Sequence, residues 1–189
     1  MAIQELHWGA SLTQQSKTAA EWTGAPRNYF IWTIGCQMNT ADSDRLGSAL
    51  QQMGLSQATS MKDADVVVLN SCVVRQSAED KVTGTLGMLK PLKTDNPNRI
   101  VALMGCMVGP KTEELAKRFK HVDVFMQPQQ YEPLINLLGE RLGIDTEGCL
   151  SNLSDINADV TSFIPIIQGC DYFCSFCIIP SMRGKLVSR

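Results

Sequence analysis

YFIWTIGC (Tyr29–Cys36), VVVLNSC (Val66–Cys72) and IVALMGC (Ile100–Cys106) share one pattern, a short apolar run that ends in a cysteine. Each run has the length of a strand and is rich in Val, Ile, Leu and aromatics. Each is nearly continuous rather than alternating, as in strands buried on both faces of a parallel sheet. The residues between the runs carry helical signals. Asn39 and Thr40 are candidate N-caps, Leu46, Leu50 and Met53 fall at helical spacing, and Gly54 stands where that helix should stop. A second helix is expected over Ser77–Leu92. After Cys106, Leu115 and Phe119 share a helical face, VDVFM (Val122–Met126) offers a fourth strand, and Leu134, Leu137, Leu138 and Leu142 mark a closing helix. The order β-α-β-α-β-α-β-α predicts an α/β fold, an open, mostly parallel sheet with flanking helices and right-handed crossovers.

Outward from that block, residues 1–28 read as an N-terminal extension, polar and small, with Trp8 and Trp22 isolated. The α/β domain occupies 29–142, GIDTEGCLSNLSDINA opens a linker over 143–160, and TSFIPIIQGC starts a new unit over 161–189. With 44% apolar residues in 189, the chain can bury a core, which excludes disorder for most of it. A net charge of −2 gives no global pull toward nucleic acid, although a local basic face remains compatible with it. No stretch approaches the about 18 apolar residues that span a bilayer, and Met1–Gly24 lacks the basic start and apolar block of a secretory signal. The expectation is a cytoplasmic protein with no membrane partner.

Seven cysteines in such a chain point to ligands or catalytic groups rather than disulfides. In open α/β sheets the loops leaving the carboxyl ends of the strands line one crevice, and Cys36, Cys72 and Cys106 all occupy that position, 36 and 34 residues apart. Three thiolates at one edge make a soft-metal site. Gly35 and Gly105 precede two of them, where glycine lets the backbone turn sharply and approach a bulky cluster. Taken singly, each is equally an ordinary buried cysteine at a strand end; their equivalent positions favour a shared site. A [4Fe-4S] cluster usually takes four cysteines, so three leave one iron open to a non-protein ligand.

Cys170, Cys174 and Cys177 form C-x3-C-x2-C within GCDYFCSFCIIP, tight enough for one loop to wrap three corners of a cube. A zinc site needs a fourth Cys or His. The two histidines, His7 and His121, are remote in sequence, and Cys149, alone in the polar linker, reads as incidental.

The C-x3-C-x2-C spacing, with an aromatic before the last cysteine, resembles the radical S-adenosylmethionine (SAM) superfamily. An α/β domain with three spaced cysteines ahead of it is similar to the methylthiotransferase family, over residues 29–189. GCQMNTADSDR (Gly35–Arg45) is similar to the tRNA-modifying branch and unlike the GCPKN form of the ribosomal-protein branch. NSCVVRQSAEDKV (Asn70–Val82) and GCDYFCSFCIIPSMRGKLVSR (Gly169–Arg189) point the same way. Ser71 replaces the usual threonine after Asn70, and GCMVGP at Gly105–Pro110 replaces the commoner GCMAQ; neither departure removes a ligand.

The resemblance implies two [4Fe-4S] clusters. Cys170, Cys174 and Cys177 would hold the one whose open iron chelates SAM, with Phe176 against the adenine or, equally, packing the loop. Cys36, Cys72 and Cys106 would hold the auxiliary cluster that carries the sulfur. One SAM would donate a methyl group, and a second, reduced through an electron donor protein, would supply the 5′-deoxyadenosyl radical. The implied reaction is 2-methylthiolation of N6-isopentenyl-adenosine beside the tRNA anticodon. Alternatives are a threonylcarbamoyl-modified adenosine, a ribosomal-protein aspartate, or a non-catalytic module with one zinc or iron-sulfur site.

Gln37 and Asn39 read as a turn and an N-cap, Arg75 as a solvated or sheet-edge charge, and Arg183, Lys185 and Arg189 as a short basic run of the usually solvated kind. Complete eight-unit barrels take about 250 residues. The twelve residues after Cys177 hold no such walls, so only a first barrel strand, Ser162–Gln168, is expected here and the 189 residues alone are expected to be inactive.

Overall fold

The computed structural model describes residues 24–73, 76–109, 112–146, 165–172 and 174–188. Trp8, Trp22, His7, Arg75, Cys149, Arg189, most of the linker and the start of the expected barrel strand lie outside them.

All three cysteine-terminated runs are strands: β1 (Asn28–Thr33), β3 (Val66–Ser71) and β4 (Ile100–Gly105). Every residue of β3 and β4 is buried, which explains their continuous apolar character. With β2 (Ser56–Gln57) and β5 (Val124–Met126) they make one five-stranded sheet in the order β2-β1-β3-β4-β5, each neighbouring pair parallel. β2 was not expected. Its two residues are exposed and polar and present no apolar run to read.

The sheet is covered on both sides. Helices α1 (Gln37–Gln52) and α4 (Glu132–Leu142) pack Leu46, Leu50, Leu134, Ile135 and Leu138 against Val66, Val68, Ile100, Ala102 and Met104. Helices α2 (Gln76–Asp95) and α3 (Thr112–Arg118) pack Val82, Leu86, Leu89 and Leu115 against Val67, Leu69, Val101 and Leu103. Alternate residues of one strand thus feed two cores, as the period of two requires.

Helix ends differ from expectation in two places. α1 starts at Gln37 with Cys36 as N-cap, rather than at Asn39 or Thr40, because Asn39 reaches back to the Cys36 N–H (3.2 Å). α2 runs past Leu92 to Asp95 despite Pro91, its last turn held by the Lys93–Asp123 ion pair at 2.6 Å. Gly54 (φ +88°) and Gly143 (φ +67°) end α1 and α4 in the positive-φ conformation that glycine adopts freely.

After the linker, β6 (Ile167–Gln168) pairs antiparallel with β7 (Val187–Ser188), closing the segment that holds the second cysteine set and helix α5 (Ile179–Arg183). Of the first barrel strand expected over Ser162–Gln168, the described residues include Ile167–Gln168 as β6. Among the described residues, no helix is long and apolar enough to cross a membrane.

Two stability predictions follow from this packing. Leu103, fully buried in β4, should cost about 2–5 kcal/mol when changed to alanine, read as a fall in the urea midpoint at constant m-value. His121 is bonded through Nε2 to the Leu86 carbonyl (2.8 Å), and burial holds its pKa below the ordinary 6.5. The unfolded chain therefore takes up the proton first, so the histidine's contribution is whole above pH 6.5 and is lost as pH falls through the lower folded value. His121→Gln should flatten that acid-side loss in urea unfolding compared between about pH 7.5 and about pH 5.

Candidate metal centre

Parallel pairing levels the ends of the central strands. Thr33 lies opposite Asn70, and Ser71 opposite Gly105, so Cys72 and Cys106 leave β3 and β4 side by side. The Ile34 N–H continues the β1–β3 ladder to the Asn70 carbonyl (2.9 Å) before Gly35 turns the chain into Cys36. In the order 2-1-3-4-5 the chain reverses its direction of travel between β1 and β3. That switch point is where open α/β sheets form a crevice beyond their carboxyl ends. Cys36 and Cys72 flank it.

A buried polar network holds this edge. Asn39, Asn70 and Ser71 are fully buried. Asn39 Nδ2 donates to Asn70 Oδ1 (2.9 Å) and to the Ser71 carbonyl (3.1 Å), while Asn70 Nδ2 donates to the Asn39 carbonyl (2.7 Å) and to Ser43 Oγ (2.8 Å). Ser71 Oγ donates to the Met104 carbonyl (3.0 Å), tying β3 to β4. Asn39 is therefore a buried bridge between α1 and β3, not merely a turn residue. Gly105 adopts φ +100°, and a Cβ there would collide with the Ser71 backbone and the Asn70 side chain. At Gly35 a Cβ would strike the Asn39 side chain and crowd Cys72.

Cys72 and Cys106 are buried, Cys36 is exposed, and all three are free thiols. Burial pushes the Cys106 thiol above its ordinary value, Arg183 pulls it down, and Cys72 and Cys36 push it up. The three sulfurs thus share one electrostatic neighbourhood. They are not closed into a coordination set: among the described residues no three His, Cys, Asp or Glu groups are arranged to hold a metal ion as they stand. Cys36 Sγ is turned toward Asn39 Oδ1 (3.3 Å), satisfying the helix end instead.

The second cysteine set sits on a compact loop. The Cys177 N–H bonds the Cys174 carbonyl (3.1 Å), and the Cys170 N–H bonds the Gly184 carbonyl (3.1 Å) across the neck. Cys174 and Cys177 are exposed and Cys170 is half-buried. Phe176, between Cys174 and Cys177, is 95% exposed.

What the sequence did not foretell is how α5 meets the first domain. Arg183 Nη2 donates to Asp42 Oδ2 at 2.8 Å, with the two side chains only 4% and 5% exposed. Arg183 is therefore not one of a solvated run; of its expected companions, Lys185 is exposed. Burial pushes the Asp42 carboxyl up while Arg183 pulls it down. Burial opposes the Arg183 charge, and Asp42 and Cys106 favour it strongly enough to raise its value. We take the pair as ionised, because a carboxylate is the form that accepts a guanidinium N–H at this distance. Tyr131 Oη also reaches Asp42 Oδ1 at 3.5 Å, from the start of α4. Met182 is buried and lies against Gly109, three residues after Cys106.

The donor chemistry suits a soft cluster: three thiols at one edge, glycines where bulk would collide, and a guanidinium that interacts with Cys106 and whose buried Nη1 has no hydrogen-bond partner among the described residues. Such a donor is costly to bury unless an anionic group accepts from it.

Comparison with known proteins adds a family and relatives. A family model described as uncharacterized protein family UPF0004 matches residues 28–127. A protein of Chloroflexus aurantiacus named tRNA-2-methylthio-N(6)-dimethylallyladenosine synthase is 39% identical over 177 residues, covering 93% of this chain and 38% of the relative. Proteins of the same name from Dehalococcoides mccartyi (42% over 161 residues) and Clostridioides difficile (34% over 201 residues) cover 85% and 99% of this chain and 36% and 40% of their own lengths. The chain thus spans roughly two fifths or less of these relatives.

Asn39→Ala strands Asn70 Oδ1 in the interior and removes the acceptor of the Cys36 N–H at the helix start. It should cost about 2–3 kcal/mol in urea unfolding, whereas Gln37→Ala, at an exposed position, should stay within about 0.5 kcal/mol of the parent.

Proposed function

The chain belongs to the family UPF0004, and we propose that it is part of a tRNA methylthiotransferase of the radical SAM type, which adds a methylthio group to C2 of N6-isopentenyl-adenosine beside the anticodon. One observation carries this reading: thiols from three adjacent strands share a carboxyl edge, and the segment bearing the second cysteine triplet is docked on that same edge. The names of the relatives supply the substrate class. Cys36, Cys72 and Cys106 would hold the auxiliary cluster, and Cys170, Cys174 and Cys177 the cluster that binds SAM. When bound, these groups supply the sulfur, the methyl group and the radical, with an electron donor protein as reductant.

The chain's own residues position and shield. Asn39, Asn70 and Ser71 fix the backbone from which two thiols leave and the cap from which the third does. Burial of Cys72 and Cys106 excludes water on one side, while the exposed Cys36 leaves the other side accessible. The exposed Phe176 offers an uncovered ring beside the C-x3-C-x2-C loop, suited to stacking on an adenine. A tRNA substrate would put this work in the cytoplasm.

Anaerobically prepared whole gene product should carry about eight irons, falling to about four when Cys36, Cys72 and Cys106 are replaced by alanine and to about four when the second triplet is replaced. Nucleosides from a deletion strain should lack 2-methylthio-N6-isopentenyladenosine and regain it with the parent gene but with neither triplet variant. Stoichiometric zinc without iron, or an unchanged nucleoside profile, contradicts the proposal.

A further inference from the structure

Arg183 and Asp42 are 141 residues apart and belong to different units of the chain, yet their ion pair is among the most deeply buried polar contacts described. Asp42 lies on the first turns of α1, six residues after Cys36, and Arg183 ends α5, six residues after Cys177. The guanidinium donates from Nη2 to the carboxylate and lies close enough to Cys106 to interact with its thiol; Nη1 is buried and makes no geometric hydrogen bond among the described residues. Met182 buries itself beside it against the turn after Cys106.

We propose that Arg183 is a positioning residue: clamped by Asp42, it seats the C-x3-C-x2-C segment on the rim of Cys36, Cys72 and Cys106 and turns a fixed positive charge toward the group those thiols hold. The arrangement has a physical logic. Two thiol sets on separate units need a defined separation if chemistry is to pass between them, and a segment whose Tyr172, Phe176 and Val187 are exposed, with Met182 its buried apolar side chain, buries little apolar surface to define one. A buried ion pair is directional, and it is costly to break because it leaves an unpaired charge behind. The same guanidinium offsets negative charge where three thiolates converge. The seating role stands whether or not the thiols carry clusters; the charge role rests on the proposed auxiliary cluster.

Hydrogen exchange on the metal-free, reduced whole gene product tests the seating. Arg183→Gln and Asp42→Asn should each speed exchange of the amides in 179–188 by about tenfold or more, and the double variant should be no faster than the faster single one. Amides of β3 and β4 serve as an internal control and should keep their protection in Arg183→Gln. Unchanged exchange in 179–188, or effects of the two changes that add, would overturn the seating role. In protein loaded with iron and sulfide and lacking the second triplet, Arg183→Gln should shift the midpoint potential of the remaining cluster to more negative values, and Arg183→Lys should hold it nearer the parent. An unmoved potential in Arg183→Gln overturns the charge role. Failure to load any iron defeats the cluster assignment, while the exchange result still decides the seating.

Discussion

Parallel pairing is the constraint on which the rest depends. A parallel sheet delivers the loop after every strand to the same edge, and the register of β1, β3 and β4 levels those deliveries to within a residue or two. Cysteines remote in sequence are therefore delivered to one edge without any contact having to be arranged between them. The two helix layers, each filling one side of the same central strands, make that register hard to slip, because a shift of one residue would exchange every side chain between the two cores.

On that frame the edge itself is built from polar groups that are fully paired. Asn39, Asn70, Ser71, Ser43 and Thr33 satisfy one another and nearby carbonyls; Thr33 and Ser43 close the chain of contacts at 2.7 Å. Paired groups of this kind rigidify a site where unpaired ones would weaken it. Among the described residues the exception is Arg183 Nη1, on a guanidinium that interacts with the buried Cys106 thiol. A buried donor at this edge supports the anionic group proposed for it.

Much of this was legible in the sequence because the signals were local. Continuous apolar runs gave β3 and β4, glycines gave the ends of α1 and α4, and the cysteines sat where strand ends had to be. The misses were of two kinds. β2 carries Ser56 and Gln57, an edge strand with no apolar face, and α2 continues three residues past the expected Leu92, where Lys93 pairs with Asp123. Asn39 and Arg183 read as a cap and a solvated charge because their roles depend on partners 31 and 141 residues away, which no local pattern encodes.

The most direct measurement of the central claim is arsenic X-ray absorption on reduced, metal-free whole gene product that lacks Cys170, Cys174 and Cys177. Trivalent arsenic takes as many thiolates as can reach it, up to three, and so counts converging sulfurs without iron. The account predicts one arsenic per chain with three sulfur neighbours, and loss of one sulfur in each of Cys36→Ser, Cys72→Ser and Cys106→Ser. Arsenic bound by two sulfurs or fewer in the parent, unaltered when one of the three cysteines is replaced, would contradict it.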